Sequence, residues 1–206
     1  MRGFGESEAL ATGYAVADYA DDIAALIGAL GVEHFVLVGH SMGGKIALAL
    51  AARQPAGLAS LILLAPSPPT PEPIEDAERQ RLLGSHSRRP EAEETVRRIT
   101  ARPLPGPLFA QAVEDSLKSS QPAWSAWLQN GSREDISAQM SRIVVPVLVA
   151  AGADDPVLPT ELFQREVVAR LPVASLEILP GSGHLSPLEV SASVAKLISE
   201  TLHDGA

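Results

Sequence analysis

The stretch VGHSMGG, Val38–Gly44, stands at the junction of two apolar segments. The run HFVLV before it, residues 34–38, has the nearly continuous apolar pattern of a parallel strand covered on both faces. The run KIALALAA after it predicts a helix over residues 44–53. A serine turned sharply from strand into helix is strained, so the residues two before and two after it must lack bulk. Gly39 and Gly43 meet that requirement.

The alternation of strand-like and helix-like segments continues on both sides of this turn. A helix is predicted over residues 14–30, ended by Gly31, with an apolar face formed by Ile23, Leu26, Ile27 and Leu30. Further strands are predicted at residues 58–65, 143–151 and 174–179, and further helices at residues 160–171 and 187–202. This order predicts an α/β protein with a parallel sheet of four recognisable strands and helices on both faces.

Residues 68–132 interrupt this alternation. A proline-rich connector opens the segment, and proline cannot continue a central strand. Short helical pieces of mixed charge follow, for example at residues 91–99 and 107–117. We therefore predict a helical cap at residues 68–132, inserted into a core made of residues 1–67 and 133–206.

Composition and charge argue against several classes of protein and several kinds of binding partner for this sequence. The 206 residues carry a formal charge of −9, which disfavours nucleic acid and anionic membrane surfaces as partners. The chain has no cysteine, no signal-peptide pattern and no apolar run of membrane-spanning length, so we expect a soluble protein of the cytoplasm. Metal-ligand spacings, a P-loop and a dinucleotide fingerprint are absent from the sequence, so no metal and no cofactor are expected.

Three polar residues follow three of the predicted strands. Ser41 follows the first strand, Asp154 and Asp155 follow the third, and His184 follows the fourth. Loops at the carboxyl ends of parallel strands share one edge of the sheet, so these side chains are predicted to meet there. Serine needs a neighbouring base to act as a nucleophile, histidine provides one near neutral pH, and a carboxylate orients the histidine. The backbone N–H of Met42 is the candidate donor to a developing oxyanion.

Four motifs together resemble an α/β-hydrolase of the esterase and peroxidase-like type. They are RGFGES at residues 2–7, VGHSMGG at 38–44, AGADDPVLP at 151–159 and PGSGHLSPLE at 180–189. The resemblance covers nearly the whole chain and is weakest in the cap. It implies an acyl-enzyme mechanism with Ser41 as nucleophile and His184 as base. Gly152 and Pro159 match the family's acid-loop pattern, which places Asp155 in the family's acid position, with Asp154 as the alternative.

Most candidate site residues also have a second, ordinary structural interpretation. Considered alone, Ser41, Asp155 and His184 also fit ordinary turn or loop roles. His40 and Leu185, beside the predicted nucleophile and base, are candidate substrate contacts, although His40 also fits the role of a packing neighbour. Trp124 and Trp127 on a predicted cap helix either line an acyl pocket or form the cap's own small core.

The resemblance also implies that strands preceding RGFGES in the family are missing from this chain. An N-terminally truncated hydrolase would lack the loop that supplies a second oxyanion donor, and activity would fall. HFVLV would then form an exposed, apolar sheet edge through which copies of the chain associate. The expected substrate is a small-molecule carboxylic ester, lactone or thioester. The alternatives are perhydrolysis, carbon–carbon bond hydrolysis and a non-catalytic binding module.

Overall fold

A four-stranded parallel sheet in the order β1-β2-β3-β4 organises the computed structural model, which describes residues 1–204. The strands are β1 (Phe35–His40), β2 (Leu58–Leu64), β3 (Val147–Gly152) and β4 (Ala174–Leu179). The helices are α1 (Val16–Leu30), α2 (Met42–Ala51), α3 (Asp76–Gly84), α4 (Arg89–Ile99), α5 (Gly106–Leu117), α6 (Gln121–Gln129), α7 (Thr160–Glu166), α8 (Ser186–Glu189) and α9 (Ser191–Asp204). The predicted α/β fold with a parallel sheet is confirmed.

Helices cover both faces of the sheet because successive side chains of a strand point to opposite sides. Leu61 and Leu63 of β2 belong to a core cluster shared with α1, α2 and α7. Ile62 and Leu64, their neighbours in β2, belong to a second cluster with Val194 of α9. Burial on both faces explains why β2 is apolar throughout except at Ser60.

The strand β1 is more exposed than its sequence pattern predicts. Among residues 1–204 it pairs on one side only, with β2. Gly39 is its one buried residue, and the Val38 residue is 42% exposed. Val36 packs against the second cluster, which includes Val194 of α9, and Phe35 and Leu37 pack against the first. Both faces of β1 are therefore covered only in part, and self-association through this edge stays a prediction.

The helix α1 buries a face rotated from the predicted one. Its buried residues are Val16, Tyr19 and Ala20, and the partly buried Ile23 and Ile27 continue that stripe against the core. The two leucines of the predicted face are largely exposed, Leu26 by 53% and Leu30 by 67%. The helix ends as predicted at Gly31, which takes the left-handed conformation with φ 62°.

Two later segments differ from their predicted bounds. The strand predicted from residue 143 begins at Val147, directly after Pro146, whose ring removes a backbone donor. The helix predicted over residues 187–202 is divided at Val190 into α8 and α9. In the described range, no helix is long and apolar enough to cross a membrane.

The buried Lys45 joins α2 to both ends of the segment that carries α3–α6. Its side chain is fully buried, and Nζ donates to the carbonyl oxygens of Thr70 at 3.0 Å and Glu134 at 2.8 Å. The carbonyl oxygens of Gly131 and Ser132 lie at 3.5 Å. Burial lowers the pKa of Lys45 to about 8, while the charges of nearby carboxylates oppose that change.

We predict that Lys45 makes the stability of the fold depend on pH in the alkaline range. Between pH about 8 and 10.5, the unfolded chain holds a proton at this amine that the folded chain has released. The free energy of unfolding therefore gains a contribution that rises with pH, by at most about 1.4 kcal/mol per pH unit. Lys45→Met removes this contribution. Urea titrations at several pH values measure the difference between the two proteins.

The exposed Lys196, paired with Glu200 on α9, provides the matched control. Lys196→Met should change stability by a small amount that does not vary over this pH range. A wild-type minus Lys45→Met difference that is constant between pH 8 and 10 would contradict the prediction.

Candidate active site

Ser41 occupies a strained turn between β1 and α2. Its φ of 50° and ψ of −122° are unusual for a residue with a side chain. Three hydrogen bonds hold the turn: Ser41 N–H donates to Leu64 O at 3.0 Å, and Ser41 O accepts from the N–H groups of Gly44 at 2.8 Å and Ser67 at 2.9 Å. The end of β2 therefore fixes this conformation, and Ser67 is a contributor that the sequence pattern did not identify.

The glycines around Ser41 differ in whether a side chain at their position would clash with its surroundings. A Cβ on Gly39 would lie 2.5 Å from Gly43 O, as predicted for a tight elbow. A Cβ on Gly43 would meet no heavy atom within 4 Å, so the predicted requirement is wrong there. A Cβ on Gly44 would lie 2.4 Å from Pro66 Cβ. Besides the contact between Gly39 and Gly43, the turn therefore needs a close approach between Gly44 and Pro66, the second residue after β2.

The three predicted side chains form one hydrogen-bonded chain at the carboxyl edge of the sheet. His184 Nε2 lies 2.9 Å from Ser41 Oγ, and His184 Nδ1 lies 2.9 Å from Asp155 Oδ2. The carboxylate can only accept, so Nδ1 carries the proton and Nε2 is left to accept from the serine hydroxyl. This arrangement can withdraw a proton from Ser41 during nucleophilic attack.

The carboxylate of Asp155 is fixed by its own turn. Its Oδ1 accepts from the backbone N–H groups of Val157 at 2.8 Å and Leu158 at 3.1 Å, and its side chain is 0% exposed. Asp154 is exposed to solvent. The geometry therefore brings Asp155, rather than its neighbour, to His184.

His40 lies beside His184 and is bonded to its backbone. Its Nε2 is 2.8 Å from His184 O, so Nε2 carries a proton and donates it to this carbonyl. The two imidazole rings are 5.4 Å apart. Burial, followed by the charge of His184, lowers the pKa of His40 to about 4. His40 is thus neutral near pH 7 and has the contacts of a packing neighbour.

The two tryptophans of α6 contact residues of their own segment. Trp127 belongs to the core and lies so close to Gly131 that a Cβ there would be 2.7 Å from its ring. Trp124 Nε1 donates to Leu82 O at 2.9 Å. Trp127 thus packs in the main core rather than in a separate one, Trp124 packs against that core, and neither indole lines the cavity beside the Asp155 turn.

Met42 and Leu185 adjoin the reacting side chains through the backbone. Met42 is the first residue of α2, so its N–H is one of the first-turn donors that have no partner inside the helix. Leu185 directly follows His184 and donates its N–H to the Glu189 carboxylate at 3.0 Å. Within residues 1–202, no three His, Asp or Glu side chains cluster as metal ligands.

A cavity of about 310 Å³ adjoins the Asp155 turn. It lies between that turn and the helices α3 and α4, and its apolar lining includes Ile74, Leu82, Ile99, Val157 and Leu158. Arg81 and Arg98, both paired with Glu78, line it as well. A larger cavity of about 460 Å³ involves Pro146 and Val173, at the opposite edge of the sheet from the reacting side chains.

Comparison with known proteins gives consistent matches over almost the whole chain. The family model described as "Alpha/beta hydrolase family" matches residues 1–197. The "Putative carbamate hydrolase RutD" of Variovorax paradoxus is 34% identical over 195 residues, which cover 89% of this chain and 72% of that protein. The "Bifunctional esterase/perhydrolase DCH" of Acinetobacter calcoaceticus is 26% identical, covering 95% and 76%.

A solved structure shares the fold closely. The esterase from Exiguobacterium antarcticum superposes with a TM-score of 0.89 at 25% identity, covering 98% of this chain and 79% of that one. The likeness therefore extends through the sheet, the helices around it and the segment between β2 and β3.

We predict opposite effects for the same substitution at two neighbouring glycines. Gly44→Ala forces a Cβ against Pro66 and should lower the free energy of unfolding by about 1–3 kcal/mol. Gly43→Ala meets open space within α2 and should be neutral or stabilising by about 0.4–1 kcal/mol. Urea unfolding of both variants measures the contrast. Equal losses at the two positions would contradict the steric account.

Proposed function

This chain belongs to the α/β-hydrolase family, and from that premise we propose that it is a serine hydrolase of small-molecule esters. The observation that carries the proposal is the hydrogen-bonded chain from Asp155 through His184 to Ser41. The names of the relatives, an esterase/perhydrolase and a carbamate hydrolase, support a substrate with an acyl carbonyl, as in esters, carbamates and related compounds. The proposed route needs no cofactor.

The first half of the proposed reaction acylates Ser41. Its Oγ attacks the substrate carbonyl carbon while the hydroxyl proton passes to His184 Nε2. The carbonyl oxygen becomes an oxyanion, and the Met42 N–H at the start of α2 would donate to it. The tetrahedral intermediate then collapses. The bond to the leaving oxygen breaks, that oxygen takes the proton from His184, and an acyl ester remains on Ser41.

The second half releases the acyl group by the same path in reverse. His184 takes a proton from water as the water oxygen attacks the acyl carbon, and the proton then returns to Ser41 Oγ as the ester bond breaks. Asp155 stabilises the imidazolium at each stage and keeps Nδ1 protonated. Its burial and its two backbone donors support this fixed orienting role.

The cavity beside Asp155 is the proposed site for part of the substrate. Its wall, contributed mainly by α3, α4 and the Asp155 turn, combines apolar side chains with three glutamates and two arginines, which favours a small group with both apolar and polar atoms. Its volume of about 310 Å³ limits that group to modest size. If the acyl part of the substrate occupies this cavity, the cavity sets the acyl preference. If the leaving group occupies it, the cavity sets the leaving-group preference.

Perhydrolysis is a second candidate function. Hydrogen peroxide in place of water would attack the same acyl-enzyme and release a peracid, and the relative named as an esterase/perhydrolase favours this possibility. A non-catalytic binding module is disfavoured, because ligand binding alone gives no reason to align Ser41, His184 and Asp155 at hydrogen-bonding distances.

We predict stoichiometric labelling of Ser41 by a fluorophosphonate probe. The probe reacts with an activated serine and requires no knowledge of the natural substrate. Ser41→Ala should abolish the labelling and the hydrolysis of p-nitrophenyl acetate while leaving the fold intact. Intact-protein mass spectrometry measures the adduct. A well-folded wild-type chain that takes up no probe would overturn the proposed function.

The adjacent aspartates provide a matched pair for the acid. Asp155→Asn keeps the size of the side chain but disturbs the tautomer of His184, and kcat should fall by about 10⁴-fold. Asp154→Asn makes the same change on an exposed residue and should leave kcat within about twofold of wild type. Steady-state hydrolysis of p-nitrophenyl acetate distinguishes the two. Similar losses in both variants would contradict the assignment to Asp155.

A further inference from the structure

The carboxylate of Glu189 holds the loop on both sides of His184. Its Oε2 accepts from Gly183 N–H at 3.0 Å, and its Oε1 accepts from Leu185 N–H at 3.0 Å. The same Oε2 accepts from Ala101 N–H at 2.7 Å, just beyond the end of α4. One side chain therefore ties the two neighbours of His184 to the segment between β2 and β3.

The backbone of His184 itself is held from two other directions. Its N–H donates to Ile99 O, the last residue of α4, at 2.9 Å. Its carbonyl accepts from His40 Nε2 at 2.8 Å. The residue is thus fixed between β1 on one side and the end of α4 on the other. Glu189 is the one charged group among these supports.

A carboxylate suits this position because it accepts hydrogen bonds on both oxygens. Three backbone donors converge on Glu189, and such bonds are stronger when the acceptor is charged. Glutamine at this position would turn one oxygen into an N–H₂ group that faces a backbone N–H. At least one tie to the loop would then be lost, and two donors would repel each other.

The position of His184 has little freedom because the imidazole must meet two partners at once. Its ring nitrogens lie 2.9 Å from both Ser41 Oγ and Asp155 Oδ2, so a shift of the loop toward one partner lengthens the other contact. Misplacement of reacting groups by about 1 Å can lower the rate by about 10²-fold.

We propose that Glu189 is a positioning residue that sets the pose of His184 and couples it to the end of α4. The inference rests on the proposed function, since it assigns Glu189 a part in the same reaction. Both carboxylate oxygens are occupied by backbone donors, so Glu189 acts through His184 rather than on the substrate. The segment between β2 and β3 thereby contributes to the alignment of the base.

The test compares Glu189→Gln with Glu177→Gln, the same substitution at an exposed position on β4. With p-nitrophenyl acetate, Glu189→Gln should lower kcat by about 10- to 100-fold and leave KM within about twofold. Glu177→Gln should match wild type in both constants. The downfield proton NMR signal of the imidazole N–H bonded to Asp155 should shift or broaden in Glu189→Gln alone.

A second variant covers the outcome in which Glu189→Gln fails to fold. Glu189→Asp keeps the charge but shortens the side chain by one methylene, so it cannot span both neighbours of His184 and should also lower kcat. Wild-type kcat and an unshifted NMR signal in a folded Glu189 variant would overturn the proposal, as would a change confined to KM. Failure of the proposed function is distinct, because wild type and Glu177→Gln would then show no turnover and no fluorophosphonate labelling.

Discussion

The strained backbone of Ser41 is the constraint around which the rest of the site is built. A residue with a side chain in such a conformation costs about 1–3 kcal/mol and persists only where its surroundings hold it. Here the neighbouring strand provides that support through Leu64 O and the Ser67 N–H. Ala65, between these two, also has a positive φ, of 40°, and donates its N–H to Ala150 O in β3. The turn that presents the serine therefore depends on pairing across three strands.

The other two side chains are fixed by different means. Asp155 is oriented by donors from its own turn, so its geometry is local. His184 is held by two groups distant in the chain, His40 and Ile99, and its neighbours are held by the nearby Glu189. An arrangement set in advance needs little reorganisation when charge develops during a reaction. The long-range support of the histidine also means that the region between β2 and β3 is part of the site and more than a cover over it.

Sequence patterns predicted the parts of this site that depend on local order along the chain. Strand-to-loop transitions located the serine, the two aspartates and the histidine, and hydrophobic periodicity located most helices and strands. Patterns failed where the decisive contact comes from elsewhere in the fold. Gly44 is constrained by Pro66, and Val38 is 42% exposed although it lies in an apolar run. Glu189 went unrecognised because its partners are backbone N–H groups, which leave no signature in the sequence.

The carbonyl cage around Lys45 has a consequence for evolution and for protein engineering. The segment between β2 and β3 resembles an exchangeable cassette, because it is a run of helices inserted between two strands. Its two ends nevertheless meet at one buried ammonium group, through the oxygens of Thr70 and Glu134. A foreign cassette that did not return both carbonyls to these places would leave a cation buried without acceptors. Exchange of the helices alone, with both junctions retained, is the route by which substrate range could change without loss of the fold.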